Sequence, residues 1–562
     1  MQESILISKA TKKNWDRLGV EPKELLSKLS KRANKRYSTK KILPVEYYTN
    51  PNTEQSLEKI LELSTDIDST IYTLAINLLT QYKLINLEKN PISDNEYIIE
   101  ILNNYTNKNI NQNLLELEIP KERDFLGIVY QSLMLEGSKN IKGSYYTPYK
   151  IVKKSTHNIK CTDKFLDPCC GTGSFLLAVC EKITDPNNIF GCDLDKTACF
   201  IAKINLIIQF KNKKFRPNIF NCDFLLDKPF DITFDIIATN PPWGAITKQE
   251  YKNLFSQIKS DEIFSYFIVQ STTLVKKEGQ LTFILPESIL NVKTHQDIRK
   301  FILDNLSVNE IVLHNRAFSG VLTNVVTLNL KKQSAQNNQI KISANKIMTL
   351  SQKYYEKNPY NKFSIMDNKD VEIIEKIYSV PHITLKDNSK WGLGIVTGNN
   401  EKHISKISQN MLNPKKIYSG KNIKKNEIID SDLFIDYQRD NFQQVAPDCI
   451  YNAKEKLVYK FISKKLIFAY DDKQRLFLNS ANVLIPKISN YSVKNVMTFL
   501  NSTVFQYIYT KRFNELKILK NNLMELPFPK LSAQELEDLT DDKIFQIFNL
   551  SGEEILYIKS LL

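Results

Sequence analysis

The chain has 562 residues, 42% of them hydrophobic. That is more than one core can use, since single cores stop growing near ~250 to 300 residues, and two or three domains are expected. The formal charge of +15 is concentrated: residues 331–530 hold 33 lysines and arginines against 18 aspartates and glutamates, and elsewhere the two signs cancel. A lysine bias from an AT-rich genome would spread along the chain, so the concentration points to a surface for an anionic polymer. No stretch approaches the ~18 uninterrupted apolar residues of a membrane span. The start "MQESILISKATKKNW" has no apolar signal region, so no membrane role and a cytoplasmic location are expected. Seven of the eight cysteines (Cys161, Cys169, Cys170, Cys180, Cys192, Cys199 and Cys222) crowd one segment, with only Cys449 outside it and no CxxC pair. That argues against a disulfide framework and a zinc site; buried thiols and no metal are expected.

In chain order, residues 1–120 are polar, with helical apolar spacing in "TEQSLEKILELSTDIDSTIYTLAINLLTQYKLI", and a helical N-terminal domain is predicted. "RDFLGIVYQSLMLEG" carries Phe125, Ile128, Val129 and Leu133 at the spacing of an amphipathic helix and leads into "IKGSYYTPYKIVKKSTHNI", a turn and another helix. From about residue 163 short apolar strands alternate with helices. "KFLDP", "NIFGCDLD", "FDIIATN", "QLTFILP", "VNEIVLHN" and "NVVTLNL" read as strands, and a long helix is predicted through "IFSYFIVQSTTLVKKEG". This alternation predicts an α/β, Rossmann-like, doubly wound parallel sheet over residues 121–335. "LKKQSAQNNQIKISANK" reads as the exit from it, into a mixed α+β C-terminal domain over residues 336–562.

Ligands of such sheets sit at the C-terminal strand ends. There, "DPCCGTGSF" offers Gly171 and Gly173 for close backbone approach. Asp193 lies 20 residues beyond Gly173 at the next strand end, where a carboxylate can accept both ribose hydroxyls. Asp195 reads as a helix cap. Asp167, at the lip of the glycine turn, would repel a pyrophosphate but suits a cationic sulfonium, which favours S-adenosylmethionine over a dinucleotide. Asp223 and Phe224 suit an adenine's amino group and ring.

"GSYYTP", "FLDPCCGTGSF", "GCDLD", "NCDFLL" and "ATNPPW", in that order, resemble the motif series of the amino-methylating DNA adenine methyltransferases in which the cofactor half precedes the catalytic half. "WGLGIVTGNN", "IYSGKNIKKN", "KKLIFAYDDKQRLFLNSANVLIP" and "TKRFNELKILKNNLMELPFP" resemble, more weakly, the target recognition domain of TaqI-like methyltransferases. The resemblance implies that Thr147 holds the methionine carboxylate of S-adenosylmethionine. It also implies Asp167 near the methionine part, Gly171 and Gly173 in the turn, Asp193 on the ribose, and Asp223 with Phe224 at the adenine. Pro168, Cys169, Phe175 and Leu194 are expected to line the same site, with no chemistry assigned to Cys169 or Cys170.

The exocyclic amine of adenine is a poor nucleophile because its lone pair is delocalised into the ring. The Asn240 carboxamide oxygen and the Pro241 carbonyl can accept its two N–H groups, while Pro242 stiffens the turn. A base inside a duplex cannot reach such a site and must be flipped out, with Trp243 on one face; the resemblance implies a second aromatic on the other, for which Phe318 is the candidate. Lys421, Lys424, Lys473, Arg475, Lys511 and Arg512 are the candidate DNA contacts. The expected function is methyl transfer to adenine N6 in double-stranded DNA, as the modification part of a restriction-modification system with a separate restriction endonuclease as candidate partner. The alternatives are an RNA or protein-glutamine acceptor, which shares Asn-Pro-Pro-aromatic, and a methyltransferase fused to a nuclease.

Overall fold

The computed structural model describes residues 42–44, 47–87, 91–105, 109–134, 146–227, 229–244, 247–314, 324–334, 338–409, 411–513 and 517–562. Phe318 lies outside them. The described residues divide into two compact units between Phe363 and Ser364.

The first unit is built on a nine-stranded sheet. Its strands are β1 (Phe165–Asp167), β2 (Ile189–Asp193), β3 (Asn218–Asn221), β4 (Phe234–Thr239), β5 (Val275–Pro286), β6 (Ser307–His314), β7 (Val325–Lys331), β8 (Gln339–Ser343) and β9 (Ile347–Ser351). They lie in the order β9-β8-β6-β7-β5-β4-β1-β2-β3. β1 to β5 are mutually parallel, β7 runs antiparallel between β5 and β6, and β9 is antiparallel to β8. The chain therefore winds one way from β1 to β3 and the other way from β4 onward, which opens a crevice at the ends of β1 and β4. Parallel strands covered on both faces read as continuous apolar runs, as "FL" in β1 and "IIA" in β4 do.

Three expectations change. The predicted exit from the sheet is two further strands: Ile340 and Ile342 in β8, and Met348 and Leu350 in β9, are buried while their polar neighbours face out. That period of two is masked by Gln339, Lys341 and Ser343 at the outward positions of β8 and by the lysines and asparagines on either side of the strand. The predicted long helix stops at Leu274, and "VKKEG" opens β5, where Lys276 Nζ reaches Asp235 Oδ1 at 2.7 Å. The described residues between 42 and 120 do not stand apart. The helices Thr53–Leu63, Ile67–Gln81 and Glu96–Asn103 pack into the sheet unit, where Tyr105 stacks on Phe200 at 4.1 Å and Thr197 Oγ1 donates to Asp68 Oδ1 at 2.8 Å. The boundaries expected at 120/121 and 335/336 thus both fall inside one compact unit.

The Phe125–Leu133 helix is buried on every face rather than amphipathic. Its cap is Asp124, 4% exposed, which accepts Gly127 N at 3.0 Å, Tyr146 OH at 2.8 Å, Thr172 Oγ1 at 2.9 Å and Asn205 Nδ2 at 2.6 Å. One carboxylate therefore ties this helix to the glycine turn, to the Lys196–Gln209 helix and to the start of "YTP". Burial pushes the Asp124 carboxyl up to about 6 against the pull of those donors.

The second unit holds two four-stranded sheets. One pairs Ser389–Leu393, Ala481–Pro486, Lys456–Lys460 and Phe468–Asp471, and the other Ile404–Ser405, Phe434–Asp436, Pro414–Tyr418 and Leu476–Phe477. Helices at Val493–Leu500, Thr503–Phe513, Asp541–Ile547 and Gly552–Ser560 complete an α+β arrangement. No helix among the described residues is long and apolar enough to cross a membrane.

A Cβ on Gly127 would lie 2.3 and 2.4 Å from the Asp124 carboxylate oxygens and 2.4 Å from Thr172 Oγ1. Gly127→Ala is expected to destabilise the protein by about 1–3 kcal/mol through that overpacking, read as a lower melting temperature; an unchanged melting curve would contradict the role given to Asp124.

Candidate functional site

The C-terminal ends of four parallel strands enclose a cavity of about 450 Å³. β1 contributes Asp167 and the turn Pro168 to Thr172, β2 contributes Asp193 to Asp195, β3 contributes Cys222 to Leu225, and β4 contributes Asn240 and Pro242. A cavity of this size with apolar walls and a few convergent polar groups is typical of a small-molecule site.

The glycine turn takes its shape from two positions. Gly171 has φ +51°, and its N–H donates to Asp193 Oδ2 at 2.9 Å; Gly173 has φ +98° and opens the Ser174–Val179 helix. Both lie in the left-handed region that favours glycine. Gly173 is buried with Ala202 Cβ 3.4 Å from where its own Cβ would be, so it serves helix packing while Gly171 lines the cavity. Asp193 Oδ1 accepts Asp195 N at 2.8 Å, which fixes the carboxylate at the cavity wall. Asp195 is the cap of Lys196–Gln209, accepting Thr197 N and Ala198 N, as its position after the strand suggested. Leu194 is 65% exposed at the cavity rim, an unusual exposure for a large apolar side chain.

Asp167 is 1% exposed. It accepts Thr239 Oγ1 at 2.6 Å and Cys169 N at 3.2 Å. Burial pushes its carboxyl up to about 7; these hydrogen bonds oppose the rise and the nearby Asp193 charge adds to it. Cys169, to which no chemistry was assigned, bridges the two halves of the site: its Sγ lies 2.8 Å from Thr239 Oγ1 and 3.3 Å from the Asn240 carbonyl oxygen.

Asn240 Nδ2 donates to Thr147 Oγ1 at 3.0 Å. Thr147, expected on the cofactor's carboxylate, thus also sets the plane of the Asn240 carboxamide. Pro241 and Trp243 are buried beside the cavity, and the Trp243 indole, 9% exposed, donates Nε1–H to the Ile284 carbonyl of β5 at 3.2 Å. That bond fixes the ring plane. Phe175 and Phe224 line the cavity, and Phe224 stacks on Phe267 at 5.4 Å.

Asp223 carries partners that the sequence did not announce. Its Oδ2 accepts Lys248 Nζ at 2.8 Å and Tyr251 OH at 2.7 Å, and its Oδ1 accepts Leu225 N at 3.1 Å. Burial would raise this carboxyl, but the bonds from Lys248 and Tyr251 outweigh it and hold the value below the ordinary one. Lys248, Tyr251 and Tyr146 all line the cavity, and all escaped the sequence reading because no spacing rule ties them to the strand ends. Among the described residues no group of three or more His, Cys, Asp or Glu is placed to hold a metal ion.

In the second unit the basic candidates separate into two classes. Lys421, Lys424 and Lys473 are exposed. Arg475 instead bonds Asp471 at 2.8 Å, Lys511 bonds the buried Asp370 at 2.7 Å, and Arg512 lies over the Tyr378 ring at 4.6 Å. These three are 19%, 12% and 12% exposed, so their charge is spent on internal partners. The expectation of DNA contacts gives way, at Arg475, Lys511 and Arg512, to a structural role.

The doubly wound sheet places a ligand crevice at its strand ends. Residues 121–426 match the N-6 DNA Methylase family and residues 415–528 the TaqI-like C-terminal specificity domain. The chain belongs to the N-6 DNA methylase family, and is an enzyme: a DNA methyltransferase of the N6-adenine class, with the fold of S-adenosylmethionine-dependent enzymes. It is 33% identical over 292 residues to the Type II methyltransferase M.VspI of Vibrio sp. (strain 343), covering 49% of this chain and 70% of that protein. It is 29% identical over 195 residues to the modification methylase CviBIII of Paramecium bursaria Chlorella virus NC1A, covering 33% of this chain and 49% of the relative. The Type IIL restriction-modification enzyme MmeI, solved in complex with DNA, shares the fold with a TM-score of 0.56 at 12% identity, over 90% of this chain and 93% of that one.

A carboxyl held above its ordinary value of 3.8, as Asp167 is at about 7, favours folding at low pH, and that stability is lost as pH rises through about 7. Asp167→Asn, which keeps an acceptor for Thr239, is therefore expected to melt higher than the unsubstituted protein at pH 8, with the gap narrowing toward pH 5. Asp124 is common to both proteins and drops out of the comparison. A gap independent of pH would contradict the raised value.

Proposed function

We propose that the protein transfers the methyl group of S-adenosylmethionine to the N6 amine of an adenine flipped out of double-stranded DNA at one short sequence, as the modification part of a restriction-modification system. The observation that carries this reading is a cavity of about 450 Å³ lined both by the glycine turn after β1 and by Asn240 and Pro242 after the adjacent β4.

The cavity fits the cofactor by its donor set. Asp193, held at the cavity wall by Gly171 N and Asp195 N, suits a ribose; Asp223 and Phe224 suit an adenine; and Asp167 is an anion in waiting for a cation. When bound, S-adenosylmethionine supplies an electrophilic methyl group on a sulfonium. A positive group beside Asp167 favours its ionised form, so the free energy that burial costs this carboxylate is recovered on binding. Leu194 at the rim would be covered.

At the catalytic end, Thr147 turns the Asn240 amide so that nitrogen faces the threonine and oxygen faces away from it. That oxygen and the Pro241 carbonyl accept the two N–H groups of the target amine, which localises its lone pair as the nitrogen becomes tetrahedral. Trp243, with its ring plane fixed by Ile284, offers a surface to one face of the base, and Phe318 is assigned the other face. Positioning and electrostatics provide the acceleration. In the C-terminal unit the exposed lysines 421, 424 and 473 contact phosphates and supply salt-dependent affinity, and a separate restriction endonuclease is the expected partner.

The family match and the specificity domain favour DNA over RNA or a protein glutamine as acceptor. Asn240→Ala is expected to lower methyl transfer to DNA by about a hundredfold or more while S-adenosylhomocysteine still binds with near wild-type affinity. Tritiated-methyl incorporation and calorimetry check the two halves; retained activity would sink the catalytic assignment.

A further inference from the structure

We propose that Lys248 and Tyr251 are positioning residues of the cofactor site: together they hold the Asp223 carboxylate as a fixed acceptor for the amino group of the cofactor's adenine, and so join adenine recognition to the segment that follows the catalytic tetrad. The inference rests on the reading of the cavity as an S-adenosylmethionine site.

A carboxylate offers about four acceptor positions. At Asp223 three are occupied, two on Oδ2 by Lys248 Nζ and Tyr251 OH and one on Oδ1 by Leu225 N, which leaves room on Oδ1 for one further donor. An adenine supplies that donor through its 6-amino group; a 6-oxo purine does not. Lys248 and Tyr251 also brace each other, with Lys248 Nζ 5.2 Å from the Tyr251 ring centre. Both belong to the stretch that continues from Trp243 into the Gln249–Leu254 helix. That stretch is anchored independently of Asp223: Gly244 N donates to Glu262 Oε2 at 3.3 Å, and Lys252 pairs with Asp261. Lys248 itself is 48% exposed on its side chain, so its bond to Asp223, 10% exposed, is made at the cavity mouth rather than in the core.

Among the described residues, the titratable groups around Asp223 are Lys248, Tyr251, Asp227, Cys222 and Asp193, of which Lys248 is the cation. Without it, only the Tyr251 and Leu225 hydrogen bonds oppose burial and the flanking carboxylates, and the Asp223 carboxyl rises. Protonation would convert the acceptor to a donor facing another donor.

The test is calorimetric binding of S-adenosylhomocysteine and of S-inosylhomocysteine, its 6-oxo counterpart, to the full-length protein between pH 5 and 8. Unsubstituted protein is expected to prefer the adenosyl compound with little dependence on pH. Lys248→Met is expected to weaken adenosyl binding about tenfold at pH 7, the worth of one charge-assisted hydrogen bond, and more at pH 5, while inosyl binding stays unchanged. Lys248→Arg should restore the preference, and Tyr251→Phe, which removes a hydrogen bond but leaves the cation, should reduce it with less added pH dependence than Lys248→Met. A Lys248→Met protein that loses affinity for both compounds alike, or keeps the preference at all pH values, overturns the inference. Failure of the unsubstituted protein to bind either compound would overturn the cavity's reading as well, which separates the two failures.

Discussion

The site depends on one short hydrogen bond, from the Thr239 hydroxyl to the buried Asp167 carboxylate at 2.6 Å. β1 and β4 are neighbours in the sheet, paired through Phe165 with Ile236 and Leu166 with Ile237, so their C-terminal ends finish side by side. A slip of one residue would carry Thr239 to the opposite face and break the pairing of the two loops. With the register kept, Asp167 leads into the glycine turn and Thr239 into Asn-Pro-Pro-Trp, and the Cys169 thiol adds a second tie from turn to tetrad. The two sides of the crevice are thereby positioned by the same few atoms.

That arrangement puts carboxylates where water cannot reach them. Asp124 and Asp167 are both buried, and both are held above the ordinary carboxylate range in spite of their donors. Asp124 uses its charge internally, binding four partners from four parts of the chain. Asp167 has fewer partners and faces the cavity, so its ionised form gains most from a cationic ligand. The second unit shows the opposite use of charge. Lys456 and Asp471 pair at 2.7 Å with both side chains fully buried, and Arg475 joins them. Part of the second unit's positive charge thus stabilises the unit itself, leaving the exposed lysines to face solvent.

Where spacing carries the information, the sequence is legible. The alternation of apolar strands and helices, the glycine turn, Asp193 at the next strand end and Asn-Pro-Pro-Trp at another define the sheet and the ligand crevice before any coordinates, because parallel sheets place strand ends together by topology alone. Contacts made by side chains distant in sequence are not legible. Nothing in "TKQEY" marks Lys248 or Tyr251 as partners of Asp223, and nothing in "RDFLG" marks Asp124 as the hub between helix and turn. The Asn- and Lys-rich segment after β7 misleads for a different reason: composition suggests a linker, but Ile340, Ile342, Met348 and Leu350 keep a strand's period of two. Arg475, Lys511 and Arg512 mislead likewise, since a basic residue beside an aromatic reads as a DNA contact until Asp471, Asp370 and Tyr378 are found against it.

The central claim is that this site methylates adenine N6 in a defined DNA sequence. Modification-sensitive sequencing of DNA from cells producing the protein tests it most directly, because it reports both the base and its context. The account predicts N6-methyladenine at one fixed position of a single short recurring sequence, absent from cells producing the Asn240→Ala protein. Marks on cytosine alone, or unmarked DNA from cells that contain the folded protein, would contradict it.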